Sequence, residues 1–359
     1  MAIIVGFAGN NPLLQGTTLD DAIFGNSLGN ISGVAGNDRI FGLAGDDDIT
    51  GDGVTILASG RGGNDVIYGG DGNDDIDGDA SSTLYGVGGN DVIYGGAGSD
   101  DVHGDADTLA AGARGGNDRI YVLGGEAGGE CFFDMIDAIG GNDLLDGSEA
   151  TDRVLLYGEA DDANLGGNSV GGNDILKGGA ADDFLYGEGL QIYDATRCGN
   201  DQLSGNGGDD TIFGDGDGSL HDTASGGRDT LRGGAGNDEL YGDGRALEDF
   251  AKGGNDRLVG GAGDDLMWGD GELIGADATG GRDRFVFSGN FGDDSILDFR
   301  TEDGDQLILQ GLTQSEVQLS IVTVNAANDS TLITTLGEQS ITLVGFTGSL
   351  TPGVDIVFA

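Results

Sequence analysis

The sequence predicts an all-β fold, a right-handed parallel β-solenoid of about ten coils of ~27 residues each, closed by a β-rich C-terminal cap. Three observations predict it. Residues 60–68 and 69–77 read GRGGNDVIY and GGDGNDDID, two consecutive nine-residue units of glycines, an aspartate and a large apolar residue. The unit recurs along most of the chain with a longer period laid over it. The 359 residues also hold 76 glycines and only 2 prolines, a composition suited to repeated tight turns and unlike collagen or a proline-rich linker.

Within one unit the glycines allow backbone conformations that a Cβ forbids, so the first six residues form a tight turn. Such a turn points carbonyl oxygens inward and leaves them without backbone partners. Asp65 and Asp74 close the two turns. Val66-Ile67-Tyr68 and Asp75-Ile76-Asp77 then make strands of about three residues whose central Ile faces a core. One turn and one strand bury too little to stand alone, so the units are stable only when stacked.

The longer period fixes how they stack. First units end at Asp38, Asp65, Asp91, Asp118, Asp143, Asp174, Asp201, Asp229, Asp256 and Asp283, with spacings of 27, 26, 27, 25, 31, 27, 28, 27 and 27. Nine residues later, second units end at Asp47, Asp74, Asp100, Asp152, Asp183, Asp210, Asp238 and Asp265, and a shifted copy ends at Asp294. A looser wide turn follows, usually opening Gly-Asp, as in GDGVTILAS at 51–59. Each coil is therefore turn, strand, wide turn and strand, with first units stacked on first and second on second. The wide turn forms either a third β-face or an outward bulge. Residues 1–32 read as an N-terminal cap with a degenerate repeat, 33–297 as the array, and 298–359 as the C-terminal cap. DQLILQG (305–311), EVQLSIVTVN (316–325), STLITTLG (330–337) and QSITLVGF (339–346) there read as alternating strands.

Acidic residues number 64 against 15 basic ones, for a formal charge of −49. Such a chain repels nucleic acid, anionic membranes and itself. We expect it to be disordered until bound cations cancel the repulsion. Cys131 and Cys198 are too few for a disulfide framework and lie coils apart, so both are expected as free thiols. The start, MAIIVGFAGNN, lacks the basic and apolar regions of a cleaved leader, and no apolar run reaches the ~18 residues of a membrane helix.

The nonapeptides resemble the repeats of the RTX (hemolysin-type) calcium-binding family over roughly residues 16–297, and the C-terminal stretch resembles the cap and signal of RTX proteins that leave by type I secretion. The resemblance implies a parallel β-roll with calcium between the turns of adjacent coils. Asp74 and Asp100 then share a site, and Asp210, Asp238 and Asp265 follow in series. Glycine turns supply carbonyl ligands, notably at Gly69, Gly70 and Gly72, Gly95, Gly96 and Gly98, Gly233, Gly234 and Gly236, and Gly260, Gly261 and Gly263. Aspartates of the wide turns, Asp52, Asp79, Asp105, Asp215, Asp243 and Asp270, are expected to complete sites on the other edge. One ion per pair of stacked turns gives on the order of fifteen calcium ions, held in the all-oxygen cages that calcium prefers over magnesium. Glu188 in place of a wide-turn Asp, Arg61 at a glycine position and the missing second unit at 122–137 mark coils expected to bind weakly. That stretch, with Cys131, Phe132, Phe133 and Met135, reads as a surface insertion or a docking loop.

Tyr186, Phe213, Tyr241 and Trp268 occupy the ninth position of successive second units, as Tyr68, Tyr94 and Tyr121 do in first units. Since the eighth residue faces the core, the ninth is expected to face solvent, as a stabilising stack or a strip for a glycan or protein partner. GNSLG (25–29) and GNSVG (167–171) fit G-x-S-x-G, but in a glycine-rich chain without helical periodicity, with only His103 and His221, they point to no enzyme. The expectation is a secreted calcium-binding protein that folds on export and serves as an extracellular structural or surface-assembly component, or else as a calcium-dependent adhesin. Its partners would be calcium, the type I machinery and either itself or a surface ligand.

Overall fold

The computed structural model describes residues 2–7, 9–10, 13–131, 135–325, 328–335, 339–346 and 348–359. Unit position decides where each residue goes. First-unit strands such as Val66–Asp71 and Val92–Ala97 pair in parallel with Ile67 opposite Ile93 and Tyr68 opposite Tyr94. They belong to a first sheet of 13 strands. Second-unit strands build a second sheet of 15, with Ile76 of Asp75–Asp77 opposite Val102 of Asp100–His103. Like therefore stacks on like, as the ~27-residue spacing requires.

The wide turns form a third sheet, of 10 strands, running through Gly53–Ile56, Ala80–Leu84 and Ala106–Leu109. One large apolar side chain per coil ties it inward: Ile56, Leu84, Leu109, Leu165, Ile192, Leu220 and Leu247 are all buried. Register shifts between Ala80 and Thr83, Ala160 and Asn164, and Gly189 and Ile192 absorb the unequal lengths of these segments. A bulge is how a strand accommodates an extra residue without losing its pairing.

The interior holds two apolar columns. Ile40, Ile49, Ile67, Ile76, Ile93 and their successors fill the space between the first and second sheets. Ile56, Leu84, Leu109, Met135 and Leu165 line the third sheet as a separate cluster. No disulfide joins the two cysteines, Cys131 buried and Cys198 partly so. Beyond the repeats, Gln306–Gln310 and Ile356–Phe358 extend the first sheet and Ser340–Leu343 the second. The chain then turns antiparallel, with Asn328–Thr335 pairing both Ser340–Leu343 and Val317–Asn325.

Two expectations are corrected here. Residues 122–137 are not a surface insertion. Gly125–Gly128 lies in the second sheet between Asp100–His103 and Val154–Tyr157, and Met135 is buried in the third. The second-unit aspartate is lost, since Gly125 stands opposite Asp100. Phe132 and Phe133 lie outside the described residues.

The ninth-position ladder Tyr186, Phe213, Tyr241 and Trp268 is buried rather than exposed. Its rings stack with centroids 5.5, 4.5 and 4.3 Å apart, and Leu155, Phe184 and Leu190 cover it. Arg245, on the third-sheet strand Gly244–Leu247, lies over the Phe213 and Tyr241 rings. Facing away from the core was the right inference; the third sheet, folding back against that face, removes the water. Tyr241→Ala should therefore cost about 3–5 kcal/mol, the range for deleting a buried aromatic. Chemical denaturation at saturating calcium measures this, and a change under ~1 kcal/mol would mean the ring is solvated.

Candidate metal centres

Two rows of carboxylates run along the solenoid. The turn row joins the first sheet to the second. In the turn Gly69–Asp74, Gly70 and Gly72 have φ of +128° and +146°, which only glycine adopts without strain. Gly69 is constrained differently: a Cβ there would sit 2.4 Å from both Asp74 Oδ2 and the carbonyl oxygen of Gly95 in the next coil. The turns at Gly95, Gly96 and Gly98, at Gly233, Gly234 and Gly236, and at Gly260, Gly261 and Gly263 repeat the two positive φ angles and the close approach of the turn's own aspartate to its first glycine.

Each aspartate of this row grips the coil before it. The Asp47 N–H donates to Asp74 Oδ1 at 2.9 Å and the Asp74 N–H to Asp100 Oδ1 at 3.1 Å. Asp183, Asp210, Asp238, Asp265 and Asp294 continue the pattern at 2.8–2.9 Å. The second oxygens of Asp47, Asp74, Asp100, Asp210, Asp238, Asp265 and Asp294 are buried with no hydrogen-bond partner. Burial pushes the carboxyls of Asp47, Asp74 and Asp265 up to about 6, those of Asp210 and Asp238 to about 7 and that of Asp294 to about 8.

The inner column lies where the chain leaves the second sheet for the third and where it returns from the third to the first. On the return side, Asp38, Asp65, Asp91, Asp118, Asp143, Asp174, Asp201, Asp229, Asp256 and Asp283 form an unbroken ladder. Each N–H donates to Oδ1 of the next at 2.6–2.9 Å. From the corner, Asp52, Asp79 and Asp105 reach across and accept the N–H groups of Gly63, Gly89 and Gly116 at 2.8, 2.6 and 2.9 Å. Asp215, Asp243 and Asp270 do the same for Gly227, Gly254 and Gly281. The facing acids come close: carboxylate oxygens of Asp38, Asp52 and Asp65 lie within 4.8 Å of one another.

Burial holds the carboxyls of Asp65, Asp91, Asp118, Asp174, Asp201, Asp229, Asp256 and Asp283 above their ordinary range, and neighbouring carboxylates add to it, as Asp105 and Asp52 do at Asp79. The Oδ2 atoms of Asp65, Asp91, Asp118, Asp143, Asp174, Asp201, Asp229, Asp256 and Asp283 are buried without hydrogen-bond partners. Buried like charges with orphaned oxygens are unfavourable unless a cation joins them. The donors are all hard oxygens, carboxylate and carbonyl, which is calcium's ligand chemistry.

The family model for the RTX calcium-binding nonapeptide repeat matches residues 29–53, 57–82, 78–108, 169–189, 199–218, 223–244 and 250–272. The chain carries RTX calcium-binding repeats. No curated protein matches it. RTX nonapeptides bind calcium, and the unpartnered oxygens of both rows are where these repeats would hold it. The unmatched span between residues 108 and 169 coincides with the coils in which the turn row is broken.

That break relocates one expected ligand. Asp152 is exposed and outside the ladder, whose place is taken by Val154, the residue that donates its N–H to Asp183 Oδ1 at 2.8 Å. The turn 147–153 is longer than its neighbours, so counting nine from Asp143 lands two residues early. Glu188 keeps the corner geometry of its aspartate counterparts. It accepts the Gly199 N–H from the corner position, as Glu130 and Glu159 accept those of Gly141 and Gly172. Glu130 and Glu159 went unread, although Gly-Glu at 129–130 and 158–159 follows the same spacing as Gly-Asp elsewhere. Arg61 displaces no turn glycine: it is exposed on a bridge row with Val34 and Val87, and Gly62-Gly63 make the turn. At the C-terminal end Asp305 Oδ1 accepts the Asp283 N–H at 3.0 Å, extending the column past the repeats.

Asp91→Asn should lower calcium uptake and raise the calcium concentration needed for folding, while Asp152→Asn should change neither. Isothermal calorimetry distinguishes the two, and equal effects would refute the register. The raised carboxyls also fix a pH dependence for the calcium-free chain. Its folded state keeps protons that the unfolded state loses near 3.8, so stability is fullest below that value and fades as pH rises through about 6 to 8. In chelator, the fluorescence of Trp268, the one tryptophan, should report a buried ring at about pH 5 and a solvated one at about pH 8. Saturating calcium should abolish the difference, and the opposite trend in chelator would contradict the assignment.

Proposed function

We propose that this is a secreted, non-enzymatic calcium-binding protein that folds on export and serves as an extracellular structural or surface-assembly component. The carrying observation is that nearly every coil is committed to the two carboxylate rows. A chain of charge −49 that buries acids in every coil folds poorly where free calcium is scarce and well where it reaches ~10⁻⁴–10⁻³ M, the regime of extracellular modules. Export of the unfolded chain through a type I channel, followed by folding outside, suits that requirement. With one ion per pair of stacked turns, the rows accommodate on the order of fifteen calcium ions.

Support for assembly comes from the first coil. Among the described residues, Ile3–Val5 pairs with Ala22–Phe24 at one end of the second sheet, with Ile3 66% exposed. Leu13 and Leu19 are exposed in the same coil. A parallel edge strand with exposed apolar neighbours is the kind of surface that templates another chain. The G-x-S-x-G serines support the non-enzymatic reading. Ser169 is buried and donates to the carbonyls of Gly166 and Met135, and Ser27 bonds to the backbone of Gly29.

A binding role is the second reading. With the second-unit ladder buried, it rests on the outer row Phe41, Tyr68, Tyr94 and Tyr121, stacked 4.7–4.9 Å apart with Tyr94 36% exposed. Light-scattering mass during a calcium titration separates the two. Assembly predicts growth into large species reversed by chelator, while a folded monomer at millimolar calcium would overturn it and favour ligand binding at the outer row.

A further inference from the structure

One coil carries a different donor in the inner column. The return turns read Arg61-Gly62-Gly63-Asn64-Asp65 and Arg114-Gly115-Gly116-Asn117-Asp118, but residues 197–201 read Arg-Cys-Gly-Asn-Asp. Cys198 takes the place of a glycine for which the column leaves no side-chain room. A Cβ at Gly171, one coil before, would lie 1.9 Å from Glu188 Oε2, and one at Gly226, one coil after, 1.8 Å from Asp243 Oδ1. The bridge row Val170, Arg197 and Ser225 confirms that the three positions correspond. The sulfur therefore stands among the carboxylates, and ligand atoms of Glu188, Cys198 and Asp215 all lie within 4.8 Å of one another. Glu188 is fully buried, and its Oε2 has no hydrogen-bond partner.

We infer that Glu188, Cys198 and Asp215 form a site for a thiophilic divalent cation of the zinc class, set within a column of calcium positions. Calcium takes oxygen ligands and gains little from sulfur, whereas a thiolate with two carboxylates suits zinc or cadmium. On binding, the thiol proton leaves to solvent as the sulfur–metal bond forms, and the carboxylates balance the ion's charge. The site would let one coil respond to a second metal while its neighbours respond to calcium. This inference rests on the column being a metal site, so calcium-induced circular dichroism, recorded on the same samples, reports that reading separately.

The test adds Cd²⁺ to the calcium-saturated full chain and records the ultraviolet thiolate-to-cadmium charge-transfer band. In parallel, Zn²⁺ is tested for protection of Cys198 from alkylation; Cys131 is fully buried. The expected result is a band that saturates at one equivalent, with alkylation slowed about tenfold or more. Cys198→Gly, which restores the repeat glycine, and Cys198→Ser, which keeps the size, should both lose the band yet keep calcium-induced folding. Cys131→Ala should retain the band. Absence of the band in the unaltered chain, its survival in Cys198→Gly, or unprotected alkylation would each overturn the site.

Discussion

Everything in this molecule follows from carboxylates that are buried and share their space. The Asp65–Asp91–Asp118 ladder and the facing Asp52, Asp79 and Asp105 lie out of water, each with like charges as neighbours. One oxygen of each of Asp65, Asp91 and Asp118 ties its coil to the one before, and the other has no hydrogen-bond partner. The same residue thus supplies the stacking bond and the reason the stack needs a cation. A cation bound there would in effect be part of the core, neutralising the charge that lies between the apolar columns.

Glycine is the second half of that constraint. At Gly70 and Gly72 it permits positive φ, while at Gly51 it lets the Gly78 carbonyl and Asp65 Oδ2 come where a Cβ would stand. Two different demands, one conformational and one steric, produce the same residue, which is why the motif is so rich in it. The positions where another residue intrudes are informative for that reason. Leu43 and Asn206 hold positive φ within the turn row, and Cys198 projects into the column itself.

The periodicity made the parallel stacking, the two repeat strands and most acidic ligands legible, because a fixed spacing with one apolar position leaves few registers open. The third sheet was not legible: one Leu or Ile in an irregular segment does not separate a bulged strand from a loop, and only stacking on its copies makes it a strand. A longer turn shifts the count at Asp152, and at Glu130 and Glu159 the corner acid is Glu where the repeat elsewhere has Asp, which hides both in the pattern. The buried fate of Phe213 and Tyr241 depended on that same third sheet, so one unknown led to both errors.

The central claim is that this fold exists at neutral pH only with cations in the carboxylate rows. Far-UV circular dichroism through a calcium titration of the chelated chain tests it most directly, with bound calcium measured on the same samples. The account predicts little β-signal in chelator, and a β-signal that rises in step with calcium bound and is lost again on chelation. A chelated chain with its β-signal intact would contradict it.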